Sequence, residues 1–152
     1  MKTVVITGSA RGFGLEMLKL FRINDFNTVI CDISKESITT AKEELEKINS
    51  KGKILSFEVD TTKEEEVKDL INQVIEEVKT IDIWINNAGV NQPNKPIWEL
   101  DKKTIDRLID IDLKGTITCS KLIMKTMIKQ KSGQIFNVEG HGSNDAKILG
   151  LS

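Results

Sequence analysis

The chain has 152 residues, 39% hydrophobic and 30% charged, with a formal net charge of −1. That balance describes one soluble globular domain with a sizeable core. It argues against a disordered chain, a basic nucleic-acid binder and a membrane-spanning protein, since no apolar run reaches bilayer length. Cys31 and Cys119 stand in no metal-ligand spacing and read as reduced core thiols. With strand residues beginning by Thr3, no signal peptide is expected, and a cytoplasmic location is.

An apolar run, Thr3-Val4-Val5-Ile6, leads into Thr7-Gly8-Ser9-Ala10-Arg11-Gly12-Phe13-Gly14, and an amphipathic run over residues 15–21 follows. Strand, glycine-rich turn and helix is the order of a phosphate-binding βα turn. Gly8 suits a sharp turn, the absence of a side chain at Gly12 lets main chain approach a pyrophosphate, and Gly14 lets the helix pack closely. The helix N-terminus offers unpaired N–H groups and a positive dipole end to the anion. Ser9, Arg11 and Phe13 complete the turn's candidate cofactor-binding residues. The spacing is not the Gly-x-Gly-x-x-Gly fingerprint, and no Gly-Lys-Ser/Thr follows as in a P-loop. Thr-Gly-x3-Gly-x-Gly resembles the short-chain dehydrogenase/reductase family. The resemblance implies hydride transfer between a nicotinamide dinucleotide and an alcohol or carbonyl.

Asn27-Thr28-Val29-Ile30-Cys31-Asp32 reads as a second strand, and Asp32 lies 18 residues beyond Gly14. A carboxylate there accepts hydrogen bonds from the adenosine ribose hydroxyls and repels a 2′-phosphate, which favours NAD. Arg11 offers charge to such a phosphate and keeps NADP as the alternative. A plain strand-end acid serving its own turn is the other reading of Asp32.

Residues 34–49 form a helix, capped by Ser34, with Ile38, Ala41, Leu45 and Ile48 as its apolar stripe. A third strand, residues 54–59, closes at Asp60-Thr61. The resemblance gives Asp60 the edge of the adenine ring; alternatively Thr61 or Thr62 caps the helix over residues 63–79. A fourth strand, residues 81–86, runs into Asn86-Asn87-Ala88-Gly89, the second motif of the resemblance. In that family the first Asn ties neighbouring backbone together, and small residues let the cofactor lie against the strand end. Asn87, Ala88 and Gly89 are therefore candidate cofactor contacts; Ala88 and Gly89 have no bulk to block a nicotinamide ribose.

Asp101 caps a long helix to about residue 131. The resemblance makes it a dimer seam; a solvated face is the alternative. Within it, Ile109-Asp110-Ile111-Asp112-Leu113-Lys114-Gly115 resembles the family's Ile-x-x-Asn-Leu-x-Gly, with Asp112 at the Asn that helps hold a water in a proton relay. A fifth strand, residues 133–138, precedes Glu139-Gly140-His141-Gly142-Ser143, which is closest to the chlorophyll b reductase-like branch and makes Ser143 the candidate catalytic serine. His141, the single histidine, reads as an ordinary loop residue.

The expected fold is α/β: a doubly wound Rossmann-type parallel sheet in order 3-2-1-4-5. Residues 1–152 form one dinucleotide-binding domain, expected to be truncated at its C-terminus. The family's Tyr-x3-Lys pair is missing, and the sequence contains no tyrosine. Two functions therefore stand: the cofactor-binding part of an NAD(P)-dependent oxidoreductase, inactive alone, or a non-catalytic nucleotide-binding or interaction module. Expected partners are the dinucleotide, a small carbonyl or alcohol in the complete enzyme, and a second copy through residues 101–131.

Overall fold

The computed structural model describes residues 1–91, 93 and 95–139. Among them, five parallel strands form one sheet: β1 (Thr3–Thr7), β2 (Asn27–Asp32), β3 (Ile54–Glu58), β4 (Ile83–Asn86) and β5 (Gln134–Asn137). Their order, β3-β2-β1-β4-β5, is the doubly wound order that alternating strands and helices dictate. The order reverses between β1 and β4, where Val5 stands beside Trp84.

Helices α1 (Gly12–Ile23) and α2 (Lys35–Glu46) cover one face of the sheet; α3 (Glu64–Val78) and α5 (Thr116–Gln130) cover the other. The two-residue period of a strand makes this division. Val4, Ile6, Ile30 and Ile85 pack with Leu15, Leu18, Ala41 and Leu45. Val5, Val29 and Trp84 point the other way, onto Val67, Leu70 and Ile123. Strands β1 and β2 are buried on both faces, which is why they read as near-continuous apolar runs. Both cysteines are free and lie in the second of these clusters. Burial pushes both thiols up, Cys119 to about 12, so neither is a ready nucleophile.

Ser34 caps α2 as expected, its hydroxyl accepting from the Ser37 N–H at 3.2 Å. Neither Thr61 nor Thr62 caps α3. Lys63 occupies the cap position without a side-chain bond, and Thr62 instead donates its hydroxyl to Asp60 Oδ1 at 2.7 Å. Arg22 is buried and donates to the carbonyls of Leu45 and Gly52, both at 2.8 Å, fastening the end of α2 to α1.

The long helix starts where Asp101 predicts, with its carboxylate accepting from the Thr104 N–H at 2.7 Å. It is not uniform. Helix α4 (Lys102–Leu108) passes into a π-helical segment, Ile109–Gly115, before α5 begins. Such wide turns shift the side chains that follow around the axis and recur at functional sites. The apolar positions of this rod fall on two faces. Cys119, Leu122, Ile123 and Met127 are buried, while Ile105, Ile109, Leu113, Ile117, Met124 and Ile128 are exposed. Among the described residues no helix is long and apolar enough to cross a membrane.

Among the described residues one buried side-chain polar atom lacks a partner: the Thr28 hydroxyl, on a residue with no exposure, in register with Val4 and Ile54. Thr28→Val keeps the shape and removes the unpaired group, so it is expected to stabilise the chain by about 1 kcal/mol. Urea unfolding measures this, and a lowered midpoint would show that the hydroxyl has a partner after all.

Candidate functional site

Strand β1 ends at Thr7, and the chain reverses through Gly8 at φ +61°. That backbone disfavours any side chain, and a Cβ on Gly8 would lie 2.7 Å from the Ala88 Cα. The turn is thereby pressed directly against the end of β4. Gly14 is equally tight, since its Cβ would lie 2.6 Å from Asn87 Nδ2 and 2.8 Å from the Gly8 carbonyl. Gly12 differs: its φ is +56°, but a Cβ there would meet nothing within 4 Å. It would stand in open space, and Gly12 is one of the residues that line the cleft together with Phe13 and Gly14.

Asn87 fastens the two motifs together. Its Nδ2 donates to the carbonyls of Thr7 and Gly8, both at 3.0 Å. Thr7 Oγ1 answers by accepting from the Asn87 and Ala88 N–H groups, also at 3.0 Å. This corrects the expectation that the first Asn ties the backbone. Asn86 still belongs to the strand and faces the Trp84 side, where Oδ1 accepts from Trp84 Nε1 at 2.8 Å. Its Nδ2 donates to Ser120 Oγ and Asn137 Oδ1 at 2.8 Å, joining β4 to α5 and β5. Asn87, one residue on, faces the glycine turn.

The turn, the strand ends and α4 enclose a cleft of about 1130 Å³. Helix α1 points its N-terminus into it. Arg11, at the cap position, makes no side-chain cap bond, so the first N–H groups of the helix are free for an anion. Asp32 stands on the cleft wall at the end of β2, nearly buried. Its Oδ1 accepts from the Ser34 N–H at 3.2 Å and its Oδ2 more distantly from the Ala10 N–H at 3.4 Å. Each oxygen keeps a lone pair for a ligand. Asp60 lines the cleft too, while its Oδ1 accepts from the N–H and hydroxyl of Thr62.

Arg11, Gly12, Phe13, Gly14, Asp32, Asp60, Asn87, Ala88, Gly89 and Gly8 thus share one cleft. Ser9 does not line it. Fully buried, Ser9 donates its N–H to the Cys31 carbonyl at 3.0 Å, and its hydroxyl accepts from the Cys31 N–H at 3.2 Å. It stitches the turn to β2. Asp112 also stands off the cleft wall; its Oδ1 accepts from the Val90 N–H at 2.8 Å. Ser143 and His141 lie outside the described residues. Sequence reasoning missed Lys103 and Arg107 of α4, which reach the cleft side by side at helical spacing. No local signal marks them, because the fold alone brings α4 to the strand ends.

The residues present fit a dinucleotide. A Cβ-free backbone faces open space beside a free helix N-terminus, and a carboxylate stands at the neighbouring strand end. The class this defines is a doubly wound nucleotide-binding protein with its cleft at the switch point. The chain belongs to the short chain dehydrogenase family, whose model matches residues 2–149. It is 34% identical to the probable chlorophyll(ide) b reductase NYC1 of Oryza sativa subsp. japonica, aligned over 93% of this chain and 31% of that protein. A short chain dehydrogenase from Bacillus anthracis superposes with a TM-score of 0.89 at 32% identity, covering 97% of this chain and 61% of that one. The structure of ElxO with NADP bound superposes at 0.88 with 26% identity, covering 97% and 59%. The chain spans about a third to a half of the length of several curated relatives it matches, and 86% of another.

Proposed function

We propose that the chain is the cofactor-binding part of an NAD(P)-dependent oxidoreductase that interconverts an alcohol and a carbonyl, with NAD preferred. The observation that carries this is the pairing of the open Gly12 backbone with the Asp32 carboxylate in one cleft. When bound, the nicotinamide supplies or takes the hydride. The chain's own residues hold the dinucleotide. The α1 N-terminus and the Gly12 backbone take the pyrophosphate, Asp32 the adenosine ribose, and Ala88 and Gly89 leave room at the end of β4. Asp60 belongs to the adenine side of the cleft. Ser143 is the hydroxyl proposed to orient a carbonyl in the complete enzyme.

One observation favours a second reading, a non-catalytic nucleotide-binding or interaction module: the sequence has no tyrosine to act as general acid. Such proton transfer contributes about 10²–10⁴-fold. We therefore expect dinucleotide binding without turnover from this chain alone. A second copy is the proposed partner, packed on the exposed apolar row of the rod, and two buried free thiols suit a cytoplasmic location. Calorimetric titration with NAD and NADP, beside an NAD(P)H absorbance assay over a panel of carbonyls, tests the reading. Absence of binding overturns the dinucleotide assignment; turnover at an ordinary enzymatic rate overturns the expected inactivity.

A further inference from the structure

We propose that Asp112 makes the nicotinamide end of the cleft selective for the oxidised dinucleotide. This rests on the dinucleotide reading above. With the pyrophosphate at the α1 N-terminus and the adenosine ribose at Asp32 on β2, the other half of the ligand crosses the switch point. It then runs along the end of β4, beside residues 87–90. Asp112 reaches that segment from the π-helical turn. Its Oδ1 accepts from the Val90 N–H at 2.8 Å and lies 3.4 Å from where a Cβ on Gly89 would stand.

The motif that this stretch resembles carries a neutral Asn at the position. Asp keeps the size and the acceptor for Val90 and adds one negative charge. Among the described residues no Lys or Arg forms an ion pair with that charge, and the α4 cations Lys103 and Arg107 line another part of the same cleft wall. Lys114, on the same turn, donates to Asp110 Oδ1 at 2.7 Å, and among the described residues Asp112 Oδ2 has no hydrogen-bond partner. The oxidised nicotinamide ring bears a positive charge that the reduced ring lacks. A carboxylate held just behind the Gly89-Val90 wall of the cleft therefore acts across that wall on the charge of one redox form only. Asp112 is exposed, so solvent and salt weaken the attraction, and the preference it adds is about three- to tenfold. For a two-electron couple, tenfold tighter binding of the oxidised form lowers the bound potential by about 30 mV.

The test is Asp112→Asn, which preserves the acceptor for the Val90 N–H. Affinities for NAD⁺ and NADH are measured by calorimetry and by NADH fluorescence, on wild type and variant, at low and high salt. NADP⁺ and NADPH are run as a second pair. The expected result is an oxidised form bound about three- to tenfold more weakly by the variant, with the reduced form unchanged and the difference shrinking at high salt. Equal loss of both forms overturns the proposal and leaves Asp112 a backbone tether; so does an unchanged ratio. Asp112→Ala separates the two roles, since losing the tether weakens both forms together. A wild-type chain that binds neither form overturns the dinucleotide reading itself, an outcome distinct from a wild type and variant that bind with equal ratios.

Discussion

Gly12→Val is expected to remove dinucleotide binding, by a hundredfold or so, while leaving a folded protein. The three glycines of the turn fail in different ways. A side chain on Gly8 or Gly14 would be driven into backbone or into Asn87, at 2.6–2.8 Å, so those variants test the fold rather than the ligand. At Gly12 the space is open. The fold there bears only the left-handed backbone at φ +56°, a cost of about 1–2 kcal/mol for a residue with a Cβ. That is small beside an ordinary margin of about 5–15 kcal/mol. The valine methyls would occupy the space against the α1 N-terminus where a pyrophosphate has to come within hydrogen-bonding distance. Circular dichroism should show a native spectrum, and calorimetry should show no heat of binding with NAD. Unaltered affinity would mean that the anion does not sit on this turn.

The glycine turn was legible because its requirements are local. A missing Cβ, an extended run before and a helix after are all written within residues 3–21. The sheet order followed from strand and helix alternation, and the caps from Ser34 and Asp101 from single residues at helix starts. What stayed hidden depends on register or on distant chain. Asn86 and Asn87 exchange roles because β4 ends between them, and a one-residue step after a strand turns the side chain to the other face. The π-helical turn at Ile109–Gly115 leaves no mark on a 3.6-residue period, yet it sets which side of the rod Asp112 faces. In the sequence Thr7 only heads the glycine motif, whereas its hydroxyl accepts from two N–H groups some 80 residues away. Ser9 sits in the motif but serves the sheet, because the turn must be anchored to β2 before it can hold anything.

Asp32→Ala is expected to invert the cofactor preference. In the wild type the carboxylate stands at the end of β2, on the cleft wall, with lone pairs free beyond its bonds to Ala10 and Ser34. In the proposed complex the ribose hydroxyls of NAD would donate to it. Hydrogen bonds to a charged acceptor are worth about 1.5–3 kcal/mol each, so NAD should weaken by at least tenfold. NADP experiences the opposite change. The negative charge facing its 2′-phosphate disappears, while exposed Arg11 remains in the same cleft to attract that phosphate. NADP should therefore hold or gain affinity as NAD loses it, and the NADP gain should shrink as salt is raised. The substitution also removes the acceptor for two backbone N–H groups, and loosening the turn would weaken both dinucleotides alike. Opposite movement of the two affinities is thus the signature of ribose recognition, readable in parallel calorimetric titrations. Parallel losses of NAD and NADP would assign Asp32 to holding the turn, and would leave the choice of cofactor to Arg11 and the α4 cations Lys103 and Arg107.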